Sequence, residues 1–232
     1  MPLEIWILFG AVGMIAFGAV VWGKTVEVRR ERRFREAADT LKFTYFGKGE
    51  SGLPPGIDRL SQFARGSLQH VEHLMQGTAN GVELTLLDLA STAGLGIYQS
   101  VSVRSVAIFR STALELPSFC LYPRALGQKL AVPAGMEAVA FEDDVEFDRR
   151  QGVSGGEPAA VRSLFGPEER EFFAKDGPYN LEGSGPVLVI YFPQLPLGAM
   201  PEFLQTVFPV FSVFRQACAR PRERNLVSAP EE

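Results

Sequence analysis

"HVEHLMQGTANGVELTLLDLA" (70–90) decides the reading of the fold. Two apolar runs flank Asn80-Gly81, a dipeptide that tolerates the positive φ values of tight hairpin turns. In the second run Val82, Leu84 and Leu86 share one face while Glu83 and Thr85 share the other, the period of a half-buried strand. The pattern spreads in both directions. Upstream, "LKFTYF" (41–46) alternates weakly and reads as a strand, followed by the chain-breaking loop "GKGESGLPPG" (47–56) and a short helix near 57–64. Downstream, "IYQSVSVRSVAIF" (97–109) and "LELPSFCLY" (114–122) are two further strands, and the polar gap from Arg110 to Thr112 suits antiparallel neighbours. An antiparallel meander of about five strands is expected.

The second half has a different texture. In "EPAAVRSLFGPEEREFFAKDG" (157–177) the apolar residues fall at helical spacing, interrupted by Gly166-Pro167, which predicts two short helices. "YNLEG" and "VLVIYF" (187–192) flank a turn at Ser184-Gly185 and predict a second hairpin. From Pro201, a residue suited to the first turn of a helix, Phe203, Leu204, Val207, Phe208, Phe211 and Phe214 form one apolar stripe. This final helix is expected to lie across the sheet, with a kink at Pro209. Residues 220–232 carry charge, proline and small side chains and are expected to form a disordered tail.

Ahead of this body, "IWILFGAVGMIAFGAVVWG" (5–23) holds no charge. As a helix it spans about 28 Å, close to the roughly 30 Å of a bilayer's hydrocarbon core. Trp6 and Trp22 stand near its ends, where indole rings favour the headgroup level. Lys24, Arg29, Arg30, Arg32, Arg33 and Arg35 follow at once, and basic residues flanking a span are retained on the cytoplasmic side. Glu31 and Arg35 stand in the i,i+4 order that supports a helix. These six basic residues and the two tryptophans are the candidate membrane-surface residues, with anionic lipid headgroups as a further partner of the arginines. The chain is therefore divided into an anchor (1–23), a basic juxtamembrane helix (24–40), a cytoplasmic domain (41–219) and a tail (220–232).

The 232 residues are 46% hydrophobic and 22% charged, with a formal net charge of −4. That balance argues against a surface built for nucleic acid. The 18 phenylalanines against 5 tyrosines point to a Phe-rich core.

With the strands in place, "FARG" (63–66), "MQGTANGVELTLLDLASTAG" (75–94), "LPSFCLYPR" (116–124), "FDRRQGVSG" (147–155) and "AVRSLFGPEEREFF" (160–173) resemble a family of uncharacterised bacterial membrane-anchored proteins. The resemblance extends over most of residues 41 to 216. In that family an aspartate near the position of Asp88 precedes aromatic residues and a Thr-Gly pair, where this chain has "DLASTAG" (88–94). The resemblance implies a shared α+β fold and an anchor and transfers no catalytic residue.

Most chemistries find no pattern here. His70 and His73, the only histidines, stand three apart on a strand and so face opposite sides. No Cys or second His pair completes a zinc set, so both are expected at the surface and no metal is expected. Cys120 and Cys218 lack CxxC spacing and are expected to be reduced, buried thiols. "EDDVEFD" (142–148) lacks the glycine and glutamate spacing of an EF-hand loop and reads as a turn entering an edge strand. "GLG" (94–96), "SGG" (154–156) and "GSG" (183–185) complete no nucleotide-binding motif, and no GxSxG elbow occurs. No cofactor is expected. The resulting expectation is an α+β protein, an antiparallel sheet with short helices and a long C-terminal helix packed on it, preceded by one transmembrane helix. Its expected role is that of a single-pass inner-membrane protein, N-terminus outside, with a non-enzymatic cytoplasmic module for binding a protein partner or sensing the membrane surface. The alternative is a membrane-tethered enzyme with a cleft near residues 91–99 and 142–156.

Overall fold

A computed structural model describes residues 25–49, 53, 55, 57, 60, 69–93, 100–124, 132–196 and 198–220. The apolar run 5–23, with Trp6, Trp22 and the following Lys24, lies outside them, as do residues 94–99 and 221–232. Among the described residues no helix is long and apolar enough to cross a membrane.

A helix, α1 (25–41), leads into the sheet. The strands are β1 (Thr44–Gly47), β2 (Gln69–Ala79), β3 (Val82–Ala93), β4 (Ser100–Ser111), β5 (Leu116–Pro123) and β6 (Glu137–Val139), then β7 (Gln151–Gly155), β8 (Asn180–Gly185) and β9 (Val187–Pro193). They form one nine-stranded sheet in the order β1-β2-β3-β4-β9-β8-β5-β7-β6. Every neighbouring pair is antiparallel. The α+β class stands. Asn80 and Gly81 take φ values of 52° and 75°, so the β2–β3 hairpin turns as its dipeptide requires.

The expected meander ends one strand early. β5 does not pair with β4; it lies between β8 and β7, and the β8–β9 hairpin occupies the place beside β4. Val187 to Pro193 matches Arg110 to Arg104 residue for residue, and a strand buried on both faces is the better partner for the buried centre of β4. The first strand also begins later than Leu41, because α1 continues through that residue. "EDDVEFD" holds a helix rather than a strand. Asp144 caps α2 (Val145–Arg150) by accepting from the Phe147 N–H at 3.1 Å, and the alternation of Val145 and Phe147 is one exposed and one buried helix face.

Two layers cover the sheet unequally. On one face, α1, α3 (Pro158–Leu164), α4 (Pro167–Asp176) and α5 (Met200–Ala219) cover Leu84, Leu86, Ala107, Phe109, Leu188 and Ile190. On the other, Leu53, Ile57 and Leu60 lie on Leu87, Leu89, Val106, Ile108, Val187 and Val189. The stripe of α5 faces the sheet through Phe203, Val207, Val210, Phe211 and Phe214. The helix continues through Pro209, which faces outward beside the exposed Gln205, where a carbonyl freed by the missing N–H reaches water. Arg220 belongs to the domain rather than to the tail. It grips buried Glu169 through two bonds of 3.0 and 2.8 Å and also reaches Glu168 at 2.6 Å.

The centre of the Phe-rich core is shared by Phe165, with the rings of Phe119, Phe141, Phe147, Phe173 and Phe214 around it, and Phe214, whose ring lies 5.3, 5.7 and 5.5 Å from those of Phe119, Phe165 and Phe173. Phe214→Ala empties that centre and is expected to cost about 3–5 kcal/mol. Phe208→Ala, at a residue 46% exposed, is expected to cost about 1 kcal/mol or less. Denaturant unfolding followed by circular dichroism checks the contrast; equal losses would move the centre of the core elsewhere.

Candidate functional site

Helix α1 is the element on which the site is built. Glu27, Arg30, Phe34, Ala38 and Leu41 recur at intervals of three and four and so share one face. Phe34 and Ala38 are buried in the main core with Leu41 packed against it. The helix that follows the apolar run is thus part of the domain, not a spacer ahead of it.

At the centre of that face Arg30 Nε donates to Asp88 Oδ2 at 2.5 Å. Ser105 Oγ donates to the other carboxylate oxygen at 2.8 Å. The same Ser105 oxygen accepts the Leu195 N–H at 3.0 Å, and Arg30 Nη1 donates to the Leu195 carbonyl at 2.7 Å. Four elements close one ring of bonds: α1, β3, β4 and the 194–199 connection to α5. The Arg30 and Asp88 side chains are 8% and 0% exposed, so the pair sits in low dielectric. Such a pair gives little net stability over a well-packed apolar pair, but removing one partner costs about 3–5 kcal/mol. Nη2 of Arg30 has no hydrogen-bond partner among the described residues.

One turn earlier a second polar cluster ties α1 to the sheet edge. A β-bulge in β2 breaks the register between Glu72, opposite Asp88, and Met75, opposite Leu86. It sets His73 at φ 52°, left-handed backbone that a histidine seldom adopts. The bulge turns the ring under α1, where it stacks on Phe34 at 5.1 Å and its Nδ1 lies 3.1 Å from the Tyr45 hydroxyl. Nε2 faces Glu27 Oε1 at 3.5 Å, and the Lys48 ammonium approaches Glu27 at 2.6 Å and Glu72 at 3.6 Å. Burial pushes the Glu27 carboxyl up, but the bond from Lys48 and the proximity of His73 outweigh it and hold Glu27 below its ordinary 4.5. The bond to Glu27 holds Lys48 above 10.5. The donor atoms of Glu27, Glu72 and His73 lie within 4.8 Å of one another, a spacing a divalent ion can bridge. Lys48 already supplies a cation at that point.

Between α1 and the start of α5 opens an apolar groove of about 450 Å³. Phe34, Ala37 and Leu41 form one wall and Leu195, Met200 and Leu204 the other, with Arg30, Arg33 and Glu36 along the α1 side. On the rim Arg33 donates to Glu36 at 3.1 Å, and Arg32, outside the groove lining, donates to the other Glu36 oxygen at 3.0 Å.

The expected membrane-surface residues divide. Arg29, Arg32, Arg33 and Arg35 are exposed. Arg30 is not a surface residue: the helical period turns it inward to Asp88. Arg35 bonds Glu31 at 2.8 Å and lies 5.1 Å from the Tyr45 ring. His70 is exposed as expected, whereas His73 is fully buried because of the bulge, which its sequence spacing does not reveal. Cys120 is buried and Cys218 half-buried, and neither is in a disulfide. In the acidic segment Arg170 holds Asp143 and Asp144 at 2.7 and 3.1 Å. Of the expected cleft at 91–99 and 142–156, residues 94–99 lie outside the described residues, and β3, which holds 91–93, is separated by four strands, about 24 Å at the usual strand spacing, from β7, which holds 151–155. Asp88 is the residue whose role sequence alone left blank; its position inside a strongly apolar strand was the available signal, since a carboxylate there needs a partner.

No protein-family model matches the chain, and no curated protein matches it. Among solved structures the fold is similar to the crystal structure of the mycobacterial trehalose monomycolate transport factor A, TtfA, at 11% sequence identity and a TM-score of 0.57. The match covers 82% of this chain and 94% of that one. At that identity it shows a common fold.

Two measurements test the site. Arg30→Met and Asp88→Asn are each expected to lose about 3–5 kcal/mol, while the double variant loses about 1–3 kcal/mol less than the sum of the two; additive losses would dissolve the pair. The second concerns pH. Glu27, lowered when folded, stabilises above its unfolded value of 4.5, and this is lost as pH falls through the lower folded value; Lys48, raised when folded, stabilises below 10.5, and this is lost as pH rises through the higher one. In Lys48→Met both the acid and the alkaline loss of melting temperature are expected to weaken. Melting curves across pH that superimpose on those of the parent would remove the cluster from the stability of the fold.

Proposed function

We propose that this chain is a single-pass inner-membrane protein, N-terminus outside, whose cytoplasmic α+β domain is a non-enzymatic module acting at the membrane surface together with a protein partner. The observation that carries this reading is the Arg30–Asp88 bond. It fixes the helix that emerges from the apolar run 5–23 rigidly against the sheet, so the groove beside α1 is held at a set distance from the bilayer. Arg30 lies seven residues beyond Gly23, about 10 Å at the helical rise per residue. The outward Arg29, with Arg32, Arg33 and Arg35, faces the anionic headgroups of the same leaflet. Since Glu31 and Glu36 already engage three of these arginines, the attraction to headgroups is modest and supplements the anchor.

The fold shared with a protein named as a trehalose monomycolate transport factor supports a transport-related, non-enzymatic role.

The test is topology. Full-length chains fused after Glu232 to a fluorescent protein that folds in the cytoplasm and to a phosphatase active only outside it are expected to give fluorescence without phosphatase activity. Both fusions should remain in the membrane after alkaline carbonate washing. An active phosphatase fusion, or release by carbonate, would defeat the proposal.

A further inference from the structure

We propose that the groove between α1 and α5 holds one acyl chain of an anionic membrane phospholipid, drawn from the leaflet at the end of the apolar run. This rests on the membrane-anchored reading above. The wall residues Phe34, Ala37, Leu41, Leu195, Met200 and Leu204 are apolar, and the volume of about 450 Å³ falls within the range of sites that enclose small ligands. From Arg33 to Leu41 the groove follows α1 for about 12 Å, an elongated shape that suits an unbranched chain better than a compact ring.

Its polar features lie on the α1 side, where the helix comes from the membrane. Arg30 lines the groove, and its Nη2 is buried with no partner among the described residues. Asp88 balances the charge of Arg30, whereas Arg32 and Arg33 share the single carboxylate of Glu36. Arg32, beside the rim rather than on it, leaves the Arg32–Arg33–Glu36 cluster with one excess positive charge, the complement of a phosphodiester. An apolar slot with one buried unfilled donor and a basic lip, a few turns from the bilayer, has the polarity of a lipid: tail inside, phosphate at the lip.

The experiment uses the full chain in detergent micelles containing phosphatidylglycerol with a photoactivatable diazirine in one acyl chain, and in parallel the phosphatidylcholine analogue. After irradiation, adducts are mapped by peptide mass spectrometry. Adducts are expected at 33–41 and 198–204 as well as within 5–23, with at least threefold more groove labelling from phosphatidylglycerol. Ala37→Trp, which fills the groove, is expected to cut the groove adducts at least fivefold at an unchanged melting temperature; if it does not fold, Leu204→Gln takes its place. Arg33→Gln is expected to equalise the two lipids. Adducts confined to 5–23 would overturn the groove while leaving the anchor, whereas absence of adducts from 5–23 would sink the anchor itself. Groove labelling indifferent to Ala37→Trp and Leu204→Gln, or a co-purified polypeptide cross-linked there in place of lipid, would also overturn it.

Discussion

The arrangement depends on one buried bond, that between Arg30 and Asp88. Asp88 stands in the middle of β3, flanked by Leu87 and Leu89, which face the opposite layer. An unpaired carboxylate at that depth would be prohibitive. Its charge is met by a guanidinium from a helix 58 positions earlier in the chain and by the Ser105 hydroxyl from β4. Because Arg30 and Ser105 both also bond Leu195, the same contact sets where the chain leaves β9 and where α5 begins. The direction of α1, the start of α5 and the width of the groove between them are three consequences of one constraint. A buried pair of this kind contributes position more than stability, and position is what a groove requires.

The second attachment of α1, at His73, is made differently. The bulge leaves His73 with φ 52°, a conformation that costs of order 1–3 kcal/mol in a non-glycine residue and persists because the surroundings fix it. Phe34 stacks on the ring, Tyr45 reaches Nδ1 and Glu27 faces Nε2. Without the extra residue, β2 would keep one parity throughout and Leu74 and Met75 would exchange faces; with it, Met75 enters the helix-side core and Leu74 the other. The strain is therefore tied to a register the core demands, and the polar cluster is where α1 takes advantage of it.

Much of the fold was legible in the sequence, because it follows from local rules. Asn80-Gly81 announces its hairpin, Gly166-Pro167 separates two helices, and the phenylalanine stripe of α5 gives its buried face. What was not legible is non-local. Nothing in residues 110–115 says that β5 crosses to the far side of an inserted hairpin, since strand order is decided by which pairs bury best across the whole sheet. The helix at Val145–Arg150 hides because one buried phenylalanine in six residues fits a period of two as well as 3.6. Arg30 was read with its neighbours as a topology signal. Only the helical phase relative to Phe34 and Ala38 separates it from Arg29, Arg32 and Arg33, and that phase has meaning once a partner inside the sheet is known.

The two attachments together decide what kind of device α1 is. A juxtamembrane helix connected to its domain by a flexible joint carries no information about the bilayer. Here the helix is fixed at two levels, by Glu27 with Lys48 and His73 nearer the apolar run and by Arg30 with Asp88 one turn further. Any tilt of α1 relative to the sheet must disturb both. The wall of the groove is the next face of the same helix, formed by Arg33, Ala37 and Leu41, so a tilt large enough to break either attachment also changes the groove's width. Any occupant of the groove and the angle of α1 against the sheet are thereby linked through a single rigid element, and by reciprocity whatever favours one angle favours or disfavours the occupant by the same free energy.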